Sequence, residues 1–157
     1  MTVRAARAGD VPLVLALIGE LAEYERLADE AVGTEELLAQ ALFGERPAAE
    51  AAIAESGAEP IGFVLWYTTF STFQCLPGIW VEDLFVRPEH RGAGAGRALL
   101  AHVARAAVER GHGRLELSAL DWNEPALGFY RALGARSLDE WRTQRFEGDA
   151  LRALASG

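Results

Sequence analysis

Hydrophobic and polar positions alternate along this chain with two different periods, and the switches between them mark its elements. Val3-Arg4-Ala5 opens as a short strand. Asp10 then stands as an N-cap with Pro12 in the following first turn, where its missing N–H costs nothing. Val14, Leu17, Ile18 and Leu21 recur at helical spacing, so residues 11 to about 27 are expected as an amphipathic helix. Thr34 caps a second helix, with Glu35 and Glu36 at the positive end of its dipole and Leu37, Leu38, Ala41 and Leu42 inward. Gly44 and Pro47 end it.

Period two then takes over. Ala51 to Ala54 reads as a strand, residues 56–60 as its turn, and Ile61 to Phe70 as a long, aromatic and β-branched central strand. Gly78 to Val86 forms the next strand, and Pro88 requires the chain to leave the sheet after it. A glycine-rich turn at 92–96 opens a helix through Arg110, with Leu99, Leu100, Val103 and Ala107 inward. Leu115 to Ala119 is a further strand, Asn123 begins another helix, Gly134 lies just past its end, and short strands are expected over 135–147. The order describes one α/β domain over 1–157, a mixed sheet with helices on both faces.

Composition narrows the setting. One cysteine, Cys75, excludes an intrachain disulfide, and no run approaches the roughly 18 apolar residues of a membrane span. Thr2-Val3-Arg4 follows Met1 with no apolar signal core, so a cytoplasmic protein without membrane attachment is expected. The 15 basic and 23 acidic residues give a net charge of −8, a field that repels nucleic acid and attracts cationic amines. His90, His102 and His112 lack ligand spacing, so no metal site is expected.

The chemistry concentrates in Arg91-Gly92-Ala93-Gly94-Ala95-Gly96-Arg97, between a strand and a helix. Glycines there bring backbone N–H groups close to a ligand, and the helix N-terminus adds partial positive charge. Such a turn suits a pyrophosphate, with Arg91 and Arg97 able to add charge, or it is a flexible turn that binds nothing. No lysine follows the glycines as a mononucleotide P-loop requires, and the third glycine of a dinucleotide fingerprint is missing.

This loop resembles the signature of the Gcn5-related N-acetyltransferase (GNAT) superfamily, Arg/Gln-x-x-Gly-x-Gly/Ala after a strand ending in an apolar triplet. Arg91, Gly94 and Gly96 match it, with Leu84-Phe85-Val86 as the triplet. Trp122-Asn123-Glu124-Pro125-Ala126 and Phe129 to Ala135 look like the superfamily's later coenzyme A segment. Glu20 to Glu25, Phe43-Gly44-Glu45, Glu82-Asp83 and Asp121 to Pro125 are similar to the diamine and thialysine acetyltransferases.

The resemblance implies a sheet of six to seven mostly antiparallel strands with about four helices, a homodimer, and acetyl-CoA as acetyl donor. It implies pantetheine along Leu84, Phe85 and Val86, pyrophosphate on residues 91–97, and further cofactor contacts from Asn123, Pro125 and Ala126. Asn123 equally serves as a helix cap. It implies Tyr130 as general acid, where helical spacing alone favours a core tyrosine. Glu82 is implied as the group that takes the amine proton, directly or through a water, and Tyr24 and Glu25 as acceptor contacts. Adjacent strand residues point to opposite faces, so only one of Glu82 and Asp83 is expected to face the amine. Residues 69–73 carry no carboxylate where the diamine enzymes have one, which leaves a polyamine and a lysine-like amine both open. Protein or peptide acetylation and a non-catalytic acetyl-CoA-binding module are the alternatives.

Overall fold

Why the chain folds as it does is clearest at its central strands, which are apolar on both sides and therefore need cover on both. The structure, a computed structural model, describes residues 1–156. Its described residues fall into two compact units, Met1–Ser118 and a smaller one starting at Ala119.

The first unit holds a five-stranded sheet in the order β1 (Thr2–Ala5), β2 (Glu50–Ser56), β3 (Glu59–Ser71), β4 (Leu76–Val86) and β5 (Leu115–Leu117). Neighbours run antiparallel except β4 and β5, which are parallel. One face is covered by α3 (Ala95–Glu109), whose Leu99 and Val103 pack with Val64, Trp66, Ile79 and Val81. The other is covered by α1 (Val11–Glu25) and α2 (Glu35–Phe43), where Val14, Leu17 and Leu42 meet Ile53, Phe63 and Phe85. Thr34 caps α2 by accepting from the Leu37 N–H at 3.3 Å. Asp10 stands before α1, but its carboxylate pairs with Arg4 at 2.7 Å instead of capping the helix.

The second unit contains α4 (Glu124–Ala132) and α5 (Gly148–Ala155). The described residues thus hold five strands, not the expected six to seven, and five α-helices. The expected strands over 135–147 do not form. Arg136, Asp139, Glu140, Arg142 and Arg145 crowd that stretch, and Leu138, Trp141 and Phe146 share no period-two face, so it has no side to bury. No helix of the described residues is long and apolar enough to cross a membrane. The aromatic run from Ile61 to Phe73 is exposed only at its end: Ile61 through Trp66 are buried, while Phe70 is 61 % and Phe73 98 % exposed.

Candidate active site

A single backbone irregularity organises the first unit's chemistry. Opposite β3, Leu65 pairs with Asp83 and Trp66 with Val81, so Glu82 has no partner and forms a β-bulge. The bulge reverses the alternation of β4. Before it, Ile79 and Val81 face α3; after it, Leu84 and Val86 do, while Phe85 joins the core beneath α1. Trp80, Glu82, Asp83 and Phe85 therefore share the α1 face. The expectation that Glu82 and Asp83 point apart is corrected here, because one extra residue places both carboxylates on one side.

The electrostatics follow from that placement. Trp80 donates its indole N–H to Glu82 at 3.0 Å, which orients this exposed carboxylate. Burial, with the charges of Glu82 and Glu25 adding to it, pushes the Asp83 carboxyl up to about 6. Burial also raises Glu25, the last residue of α1. The Tyr67 phenol is raised too, by burial first and then by Glu82. Three acids and an aromatic pair thus look onto one patch, and none of Glu25, Glu82 and Asp83 has an ion-pair partner among the described residues. Such a patch stabilises a cation and raises the cost of leaving it empty. Asp83 was legible only as Glu82's neighbour; nothing in the sequence signals the bulge.

The end of α1 is fixed by two arginines from the turn after β4. Arg87 forms a forked ion pair with Glu20, at 2.6 and 2.9 Å, and donates to the Pro60 carbonyl at 2.9 Å. Arg91 donates Nε–H to the Val86 carbonyl at 2.8 Å and lies over the Tyr24 ring, 4.4 Å from its centroid. Its guanidinium is thus turned towards Tyr24 and Phe85, whereas Arg97 is exposed in the first turn of α3.

Beside the carboxylates, β4 has a free edge. Its pairing with β5 stops at Val81–Leu117, yet β4 runs on to Val86. The backbone of Leu84 and Phe85 is therefore open on that side to an added extended chain. Beyond it, Gly92 and Gly94 take left-handed φ values of 79° and 88°, and Gly94 caps α3 with Ala95 and Gly96 in its first turn. First-turn N–H groups of this kind, together with the Gly92-Ala93 backbone, suit an anion. An open strand edge leading to such a turn fits a pantetheine followed by a pyrophosphate, so these residues fit acetyl-CoA.

In the second unit, Asn123 is buried and its side-chain oxygen accepts from the Ala126 N–H at 3.3 Å, so the capping role is realised. Pro125 sits in the first turn, and Tyr130 lies seven residues on, its ring 5.2 Å from that of Phe129. Among the described residues no three His, Cys, Asp or Glu side chains gather as a metal site.

The first unit thus combines a bulged strand with a glycine turn at a helix N-terminus. The chain belongs to the Acetyltransferase (GNAT) family, whose model matches residues 18–135, and it is an acetyltransferase. It is 41 % identical over 164 residues to a thialysine N-epsilon-acetyltransferase of Bos taurus, covering 98 % of this chain and 96 % of that protein. It is 32 % identical over 197 residues to an L-ornithine N5-acetyltransferase of Arabidopsis thaliana, covering 97 % and 86 %. Among solved structures, an integron cassette protein from the mobile metagenome of V. cholerae superposes with a TM-score of 0.82 at 28 % identity, covering 99 % of this chain and 98 % of that one.

Proposed function

We propose that this protein acetylates the terminal primary amine of a small, lysine-like cation, as a single catalytic domain over residues 1–157. The observation that carries the reading is the bulge at Glu82, which turns Glu82 and Asp83 to the side where Glu25 and Tyr24 end α1. The names of the thialysine and ornithine relatives support the same acceptor class.

Acetyl-CoA supplies the activated acetyl group. Leu84, Phe85 and Val86 hold the donor through the strand edge, the backbone of Gly92 to Arg97 holds its phosphates, and the family likeness assigns Asn123, Pro125 and Ala126 to the donor as well. Glu25 and Asp83 bind the ammonium, and Tyr24 packs on its carbon stem. An ammonium cannot attack, so it must first lose a proton; the Glu82–Asp83 pair accepts it, directly or through water. Tyr130 then protonates the departing thiolate. We further propose that the protein works in the cytoplasm, as a homodimer, without nucleic acid or membrane partners.

Screening primary amines with acetyl-CoA and a thiol reagent tests this directly. Release of coenzyme A with lysine-like amines supports it. Tight acetyl-CoA binding with no turnover on any amine would replace it with a non-catalytic binding module.

A further inference from the structure

An acceptor of this class has a second end, and the α1 face offers one ionic pair for it. On β5, Leu115 and Leu117 pack against the α3-side core, so Glu116 between them faces the other way. It stands level with Trp80 in the parallel ladder, on the face that carries Glu82 and Asp83. Arg114 Nε lies 2.7 Å from Glu116, with 40 % and 27 % of the two side chains still exposed. Neither has another ionic partner among the described residues.

The arginine of this part-exposed pair packs against β4. Gly78 has no side chain, and a Cβ there would meet Thr69 Oγ1 at 3.0 Å and Arg114 Cγ at 3.1 Å. The arginine stem therefore packs over the glycine. The Thr69 hydroxyl beside that glycine is buried without a hydrogen-bond partner.

We propose that Arg114 and Glu116 form the subsite for the amino-acid head of the acceptor, Arg114 taking its α-carboxylate and Glu116 its α-ammonium. The assignment rests on the terminal-amine reading above. The spacing agrees with it. Trp80, level with Glu116, lies three residues before Asp83, or roughly 7–10 Å along a strand. In an extended lysine the terminal nitrogen is about 6–8 Å from the α-carbon and its carboxylate, given C–C bonds near 1.5 Å. A zwitterion spans the two sites with each charge opposed, whereas a diamine of the same length keeps the ammonium at Glu116 and leaves Arg114 without a carboxylate.

Three acceptors separate the possibilities: L-lysine, L-lysine amide and 1,5-diaminopentane, which share the terminal amine and differ at the head. The wild type should favour L-lysine in kcat/KM by tenfold or more over both others, through KM. Arg114→Gln should lose tenfold or more on L-lysine, with diaminopentane within about twofold, and Arg114→Lys should recover part of the loss. Glu116→Gln should weaken all three acceptors, since each sets an ammonium there, so only Arg114→Gln separates L-lysine from the others. Circular dichroism confirms that each variant is folded, and the wild-type ranking stands even if one is not. Equal use of L-lysine and diaminopentane by the wild type overturns the subsite while leaving the acetyltransferase reading intact. So does an equal loss on all three acceptors in Arg114→Gln. Turnover of none of the three by the wild type overturns the lysine-like acceptor and the subsite with it.

Discussion

Asp83 is where the site and the stability of the protein pull against each other. Its carboxyl is raised to about 6 by burial and by its acidic neighbours, so ionising it disfavours the folded state. The sign follows from linkage. Between about pH 4 and 6 the folded protein binds more protons at this group than the unfolded chain, so its contribution to stability falls as pH rises through that window. Asp83→Asn should therefore match the wild type near pH 4 and exceed it by about 2–3 kcal/mol at pH 7–8, as a two-unit shift implies. Chemical denaturation across that range checks it; a destabilised variant at pH 8 contradicts it. The same substitution should raise KM for the amine, and wild-type KM should itself climb as pH falls below about 6. Tyr130→Phe bears on the other proton. Keeping the ring preserves its packing against Phe129, while losing the acid should lower kcat by 10²–10⁴-fold with the fold unchanged. Near-full turnover would make Tyr130 a packing residue.

At the scale of elements, the glycine turn sets the donor site. Gly94 has φ of 88° and open space where a Cβ would sit, so a side chain there clashes with nothing and still strains the backbone. Gly94→Val should weaken acetyl-CoA binding at least tenfold by calorimetry, with little loss of fold; unchanged affinity would remove the phosphate assignment. This turn was legible because φ > 0 demands glycine, and Thr34 and Asn123 were legible because caps demand short polar side chains. The bulge at Glu82 was not, since an added residue changes pairing without changing composition. Reading β4 as strictly alternating separated Glu82 from Asp83, and with them half of the acceptor site. Residues 135–147 failed for the converse reason: Trp141 and Phe146 have strand propensity, but no partner face gives it effect.

For the molecule as a whole, the sheet does more than bury a core. On the proposed reading its two helical layers place the acceptor chemistry on the α1 side and the phosphate contacts at the start of α3, with the edge of β4 between them. Phe70 and Phe73 project from the far end of the β3–β4 hairpin, largely exposed, and Leu76 is 43 % exposed beside them. Apolar groups so placed suit association with a second copy. Light scattering at micromolar concentration should give twice the chain mass, and Phe73→Ser should shift it towards one; a wild-type monomer refutes the assembly. The central claim, that the carboxylates at the bulge receive the side-chain amine of the acceptor, is tested most directly by the regiochemistry of the product. Acetylated L-lysine made with isotopically labelled acetyl-CoA and examined by NMR should carry the label on its terminal nitrogen. Label on the α-nitrogen would reverse the orientation of the acceptor and contradict the account.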